Sequence, residues 1–198
     1  KLFIVNRLLE VIGITSILLS LFIFVSVASH SSFDPSIFNL NNYEVKNVGG
    51  YLGANVSEIL IQFFGYSCIL ICIVLTSWAY KFFFSKNLEL FGLNLFLLPI
   101  TVYLMALFFE AVKLPISNGF IATQSLIYLN KTSILSNSYL NYLFITLIFI
   151  FFLISFYFTM GLKLNEWNSF IKVLWQNAKT FTLFVRRLVE LIKSYFMK

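Results

Sequence analysis

Four apolar runs of about membrane length constrain what this chain can fold into. They cover residues 8–28, 58–80, 91–112 and 139–162, and more polar connections separate them. At about 1.5 Å per residue, the run 8–28 forms a helix of about 31 Å, which matches the hydrocarbon core of a bilayer. Only 11% of the residues are charged, against about 25% in soluble domains. We therefore predict an all-α integral membrane protein with four transmembrane helices.

The beginning of the chain has two interpretations. Val27-Ala28-Ser29 is weakly similar to the cleavage site of a secretory signal peptide. The apolar region of a signal peptide is about 7–15 residues long, however, and the run 8–28 is longer, which favours a membrane-anchored helix. The chain starts with Lys1 rather than Met, so we expect it to be a piece of a longer protein.

The distribution of basic residues predicts the orientation in the membrane. If both termini are cytoplasmic, the external loops are residues 29–57 and 113–138, and they contain Lys46, Lys113 and Lys131. The other basic residues, out of 14 Lys and Arg in total, then lie on the cytoplasmic side. Cytoplasmic segments of membrane proteins carry such an excess of Lys and Arg. The rule also accounts for the net charge of +6 without a nucleic-acid partner.

Residues 163–198 form a separate cytoplasmic segment next to the membrane. Bulky apolar residues recur at helical spacing, as in Trp167, Phe170 and Leu174, and basic residues are interleaved with them. These basic residues are Lys172, Lys179, Arg186, Arg187 and Lys193. The pattern predicts a basic amphipathic helix on the inner leaflet, bound to membrane lipids. Nucleic-acid binding is the alternative, and it would leave the apolar face without a partner.

The sequence offers no catalytic, cofactor-binding or metal-binding residues that we can name. It lacks a Gly-x-x-x-x-Gly-Lys-Ser/Thr loop, a Gly-x-Ser-x-Gly turn, a His-Glu-x-x-His pair and a Cys-x-x-Cys pair. His30 is its single histidine. Cys68 and Cys72 lie four residues apart inside an apolar run, where we expect them to serve packing.

Two acidic residues within the predicted spans leave a second function open. Glu58 and Glu110 lie near the external ends of the second and third spans. Ionisable residues inside spans are candidates for an ion path, which would make the chain a small transporter or channel-like subunit. The other interpretation is structural, because Lys113 follows Glu110 at a spacing that favours pairing. Glu110→Gln with an ion-flux measurement separates the two.

The first external loop contains the most specific motifs of the chain. Asp34-Pro35-Ser36 predicts a turn, and Gly49 and Gly53 are spaced so that two backbones can approach closely. We expect Gly49, Gly50, Gly53 and Ala54 to pack the re-entering chain against the first span.

These motifs resemble the N-terminal membrane domain of the FtsK/SpoIIIE DNA translocases. That family has Asp-Pro-Ser in its first external loop, then Asn-x-x-Gly-x-x-Gly-Ala and a second span beginning Leu-x-x-x-Phe-Gly. The matching residues here are Asp34, Pro35, Ser36, Asn47, Gly50, Gly53, Ala54, Leu60, Phe64 and Gly65. Gly119 is similar to one residue of a further glycine element that this sequence otherwise lacks.

The resemblance implies a multi-pass anchor in the bacterial inner membrane, located at the division septum. In the family, the domain contacts other cell-division proteins and is linked to a hexameric motor that moves double-stranded DNA with ATP and Mg. The motor is not in this sequence, so no residue here is assigned to ATP, Mg or DNA. For this chain itself the resemblance implies no enzymatic activity and no cofactor.

Overall fold

All of the regular secondary structure in the described part of the protein is helical. A computed structural model describes residues 2–40, 43–84, 91–115, 119–131, 138–163, 165–173, 175–176 and 179, and these contain no strand. The helices are α1 (Leu2–Ala28), α2 (Gly50–Phe64), α3 (Ile69–Phe84), α4 (Phe91–Ala111), α5 (Phe120–Lys131) and α6 (Ser138–Met160). A 3-10 turn, Gly65–Cys68, joins α2 to α3.

Four segments are long and apolar enough to cross a membrane. They are Phe3–Ala28, Gly50–Phe84, Phe91–Ala111 and Tyr139–Met160. The predicted all-α fold with four transmembrane helices is therefore confirmed. The main packing partners are α1 with α3 and α4 with α6. Pro99 lies inside α4, which is helical on both sides of it.

The second span begins earlier than the sequence suggested. We expected it to start near residue 58, but helix α2 already begins at Gly50. Asn55 and Ser57, which the prediction placed in the loop 29–57, are buried in the helix. Their side chains find hydrogen-bond partners inside the protein, so the helix can contain them without exposing polar groups to lipid.

The second span is bent at Gly65. Gly53 lies beside Ser26 of α1, and Cys72 accepts a hydrogen bond from Ser20 of the same helix. Ser20 and Ser26 are separated by about 9 Å along α1, whereas a straight helix from Gly53 to Cys72 would cover about 28 Å. The second span cannot follow α1 over that length. Gly65, with φ 62° and ψ −157°, supplies the break.

Hydroxyl groups connect the spans inside the membrane. Thr101 Oγ1 of α4 lies 2.7 Å from both Ser155 Oγ and Thr159 Oγ1 of α6. Ser20 Oγ of α1 donates to the Cys72 carbonyl of α3 over 2.9 Å. Hydroxyl hydrogen bonds of this kind hold transmembrane helices together where lipid gives no hydrophobic driving force.

Helix α3 closes the C-terminal end of α6. The last carbonyls of an α-helix have no partner within the helix. Here Ser77 Oγ and Trp78 Nε1 donate to two of the carbonyls of residues 159–161, over 2.9 and 2.8 Å, and Lys81 Nζ donates to the third. Lys81 is 3% exposed, and its charge lies at the negative end of the α6 dipole.

Helix α5 lies within the segment that was predicted as the second external loop, residues 113–138. It buries Ala122 and Leu126, and Leu126 joins a cluster with Leu107 and Ile148. Ser125 accepts a hydrogen bond from Tyr103 of α4 over 3.0 Å. The helix forms because its apolar residues find a surface on α4.

The chain separates into two compact units, residues 1–161 and 162–198. In the second unit, residues 165–173 are helical, and the Lys163 N–H donates to Glu166 Oε2 over 2.7 Å. Lys179 Nζ lies 5.3 Å from the centre of the Trp175 ring. Most of the predicted amphipathic helix, from residue 180 onward, lies outside the described residues.

Candidate functional site

Buried polar side chains meet where the loop between α1 and α2 joins the two helices. They come from all three segments, and each is at most 9% exposed. We call this group the polar clasp. Its members are Ser26, Asp34, Ser36, Asn47, Asn55 and Ser57.

Asp34 holds the two ends of the loop together. Its Oδ1 accepts a hydrogen bond from the Lys46 N–H and its Oδ2 accepts one from the Asn47 N–H, both over 2.9 Å. Hydrogen bonds to a charged acceptor are about twice as strong as neutral ones. Both carboxylate oxygens thus serve the loop backbone.

Asn47 ties the loop to both helices. Its Nδ2 donates to the Ser26 carbonyl of α1 over 2.8 Å and to Ser57 Oγ of α2 over 3.4 Å. Its Oδ1 accepts a hydrogen bond from the Gly49 N–H over 2.9 Å. One buried side chain therefore fixes the entry of α2 relative to the end of α1.

The Asp34-Pro35-Ser36 motif, where a turn was predicted, connects a turn that ends at Asp34 to a turn that begins at Ser36. The Ser36 N–H donates to the Asn39 carbonyl over 2.9 Å, and the Asn39 N–H donates back over 3.2 Å. Asn55 of α2 accepts a hydrogen bond from the Ile37 N–H over 2.7 Å. Pro35 is half-buried between the two motif residues that belong to the clasp.

Gly49 and Gly53 give the clasp its room. A Cβ atom on Gly53 would lie 2.4 Å from Asn47 Oδ1 and 2.9 Å from Ser26 Oγ. One on Gly49 would lie 2.8 Å from Ser26 Oγ. Ala54, the next small residue, is fully buried. A larger residue at Gly49 or Gly53 would displace atoms that make the hydrogen bonds of the clasp.

Gly50 is needed for a reason that the sequence did not suggest. We expected it to allow close packing, but a Cβ at this position would meet nothing within 4 Å. Its φ of 65° lies in the left-handed region, which glycine adopts without steric cost. Gly50 therefore turns the chain into α2, and the packing contacts belong to its neighbours.

Phe64 and Gly65 take part in a different contact, with Gly119. Gly119 has φ 80°, and a Cβ on it would lie 2.5 Å from the Gly65 nitrogen and 2.6 Å from the Phe64 carbonyl carbon. The start of α5 thus lies directly on the backbone where the second span bends.

The Glu58 side chain contacts His30, in the loop between α1 and α2. Its Oε2 lies 3.7 Å from His30 Nε2, and its Oε1 accepts a hydrogen bond from Gln62 over 2.7 Å. His30 Nδ1 in turn lies 3.3 Å from Ser57 Oγ of the polar clasp. These contacts extend the clasp by one histidine and one carboxylate.

Glu110 is the second acidic residue of the predicted ion path. It is half-buried in the last turn of α4, and its carbonyl accepts a hydrogen bond from the Lys113 N–H over 3.0 Å. The pairing of the Glu110 and Lys113 side chains stays a prediction, as does an ion path. Across the described residues, no group of three or more His, Cys, Asp or Glu side chains could hold a metal ion.

Half of the polar clasp was not predicted. Ser26, Asn55 and Ser57 were not singled out, because each looks like an isolated polar residue in or beside an apolar run. One signal was available, since buried polar groups must be paired and membrane-depth polar residues seldom occur without a partner. Which partner they meet follows from the tertiary fold.

Comparison with known proteins gives one match. A family model described as the 4TM region of DNA translocase FtsK/SpoIIIE matches residues 5–174. No curated protein and no solved structure matches the chain.

Proposed function

Because the chain belongs to the family of the 4TM region of FtsK/SpoIIIE DNA translocases, we propose that it holds such a translocase at the division septum. The chain is a multi-pass membrane-anchor region of a translocase of this type. In the proposal, the membrane is the bacterial inner membrane, and the anchor couples chromosome segregation to cell division.

The observation that carries an anchoring role is the polar clasp. Asp34 uses both carboxylate oxygens on loop backbone, and Asn47 uses its amide to join α1 and α2. A site whose polar atoms are taken up by the fold is suited to rigid support and poorly suited to turnover. We propose that this chain has no enzymatic activity and no cofactor of its own, and that ATP and Mg are used by a motor outside it.

The proposed partners follow the family. Membrane lipids surround the spans, other cell-division proteins contact the domain, and copies of the chain associate, as a hexamer if they follow the motor. DNA is reached only through the motor. Native mass spectrometry of the chain in detergent tests the self-association, since a monomer at all protein concentrations would contradict it.

Septal localisation can be tested with a fluorescent protein fused after residue 198. In dividing bacteria we expect a fluorescent band at midcell for the natural sequence. Gly53→Leu should reduce the band while fluorescence stays in the membrane, because it disturbs the polar clasp. Gly92→Ala is the matched control, since a Cβ there meets nothing within 4 Å.

Uniform fluorescence around the membrane for the natural sequence would contradict septal targeting. A midcell band of equal intensity in all three proteins would support septal localisation but show that it does not depend on the polar clasp.

The coupling of the anchor to chromosome segregation needs a second measurement. When the domain is joined to a translocase motor, we expect it to restore chromosome clearance from the septum, and failure with normal localisation would contradict that coupling.

A further inference from the structure

The first external loop exposes an apolar surface outside the spans. Six of its seven large apolar side chains between residues 33 and 48 are more than half exposed, and the seventh, Val45, is partly buried. Leu40 is 91% exposed. We call this surface the apolar loop face, and it comprises Phe33, Ile37, Phe38, Leu40, Tyr43 and Val48.

Side chains within the protein satisfy much of the backbone beneath the apolar loop face. Asn55 accepts the Ile37 N–H over 2.7 Å, and Ser29 Oγ accepts the Val48 N–H over 3.1 Å. Asp34 accepts two further N–H groups, those of residues 46 and 47. In contact with water, the backbone N–H groups could bind water instead of these side chains. Irregular backbone can approach lipid only when its polar groups are satisfied within the protein.

The apolar loop face is continuous in sequence with lipid-facing residues of two spans. Tyr51 and Leu52, in the first turn of α2, follow Val48 directly and are both more than half exposed. Phe24, near the end of α1, is half exposed on the other side of the loop. Exposed apolar residues on these spanning helices face acyl chains, so the loop extends an existing lipid contact.

The charges of the loop fit the same arrangement. Asp34 is buried in the polar clasp, whereas Glu44 and Lys46 are exposed. A segment lying in the interface buries its apolar side chains about 5–10 Å deep and keeps its charged groups among the headgroups. Tyr43 is of the aromatic type that is enriched at membrane–water interfaces, and Phe33 and Phe38 are of the type found on the apolar face of interfacial segments.

We propose that the apolar loop face inserts into the external leaflet of the membrane that the four helices cross, with phospholipid as its partner. The inference does not depend on septal localisation. It assigns to residues 33–40 and 43–48 the role of a shallow membrane anchor that supports the end of α1 and the start of α2.

The test places an environment-sensitive dye on the loop of the purified full chain in phospholipid vesicles. Leu40→Cys carries the dye into the apolar loop face, and Glu44→Cys carries the same dye on an exposed polar residue of the same loop. Cys68 and Cys72 are buried, and the natural sequence treated in the same way gives their background labelling. Leu40 makes no buried contact that its replacement would remove.

We expect the dye at Leu40 to emit at shorter wavelength and to be quenched by nitroxide lipids labelled near the headgroup. The dye at Glu44 should instead be quenched by an aqueous quencher. Equal aqueous quenching at both positions would overturn the proposal and leave the face to a protein partner. The dye at position 40 could also be shielded from the aqueous quencher by a second copy of the chain. If that shielding disappears when the protein-to-lipid ratio is made much lower, the proposal is overturned in favour of a second copy.

Discussion

Gly119 lies against the backbone of Gly65 so closely that no side chain fits between them. A Cβ on Gly119 would be 2.5 Å from the Gly65 nitrogen and 2.5 Å from the Phe63 carbonyl oxygen. Both glycines have positive φ. The bend of the second span and the start of α5 are therefore one contact, made by backbone on both sides.

Gly119→Ala should destabilise the protein by about 2–4 kcal/mol, because the new Cβ overlaps backbone and the left-handed φ becomes strained. Gly92→Ala, in a helix with open space around it, should change stability by no more than about 1 kcal/mol, in the stabilising direction. Thermal unfolding in detergent with a thiol-reactive dye measures both, since Cys68 and Cys72 are buried until the protein unfolds. Equal melting of the two variants would show that the contact is not needed.

Asp34→Ala should cost about 2–4 kcal/mol, because the partly buried N–H of Lys46 and the buried N–H of Asn47 lose their acceptor. Glu44→Ala removes an exposed carboxylate from the same loop and should change stability by less than about 0.5 kcal/mol. Hydrogen exchange of the two amides gives a direct readout and should accelerate in the Asp34 variant alone. Unchanged exchange there would contradict the role of Asp34 in closing the loop.

Gly53→Leu should disrupt the packing of α1 on α2, since even a Cβ at this position lies 2.4 Å from Asn47 Oδ1. Lys179→Ala should have little effect on insertion, because its contact with the Trp175 ring is worth about 0.5–1 kcal/mol and lies in the second unit. Membrane insertion and the detergent melting temperature are compared for both. Natural behaviour of both variants would refute the packing role of Gly53.

Lys81→Met should destabilise the protein by about 1–3 kcal/mol, because it removes a buried donor and a positive charge from the C-terminal end of α6. The exposed Lys46→Met is the matched control for the loss of a lysine. The same thermal unfolding measurement applies. If the two variants have the same melting temperature, the hydrogen bond from Lys81 to the Gly161 carbonyl does not contribute to stability.

The sequence was sufficient for the spans and insufficient for their partners. Apolar length reveals a membrane helix locally, and so the four spans were predictable. Helix α5 was not, because its short apolar pattern becomes stable only against α4. The pairing of Thr101 with Ser155 and Thr159 joins residues more than fifty positions apart, and no local pattern encodes such a distance.

Gly50 and Gly53 show, within the candidate site, that the sequence alone does not reveal what a motif residue contacts. A glycine in a motif can be required for close packing or for its backbone conformation, and the sequence alone does not distinguish the two. The geometry does, since a Cβ on Gly53 would lie 2.4 Å from Asn47 Oδ1, while a Cβ on Gly50, whose φ is 65°, would meet nothing within 4 Å.

The closure of α6 by α3 has a mechanical consequence. Tension applied to the chain beyond Gly161 does not act on α6 alone, because the final carbonyls of that helix are held by Ser77, Trp78 and Lys81. The pull is shared with the second span, and from there with α1 through Ser20. A load applied at the C-terminal end of α6 is thereby distributed over three membrane-crossing segments, and extracting one helix requires breaking its hydrogen bonds to another.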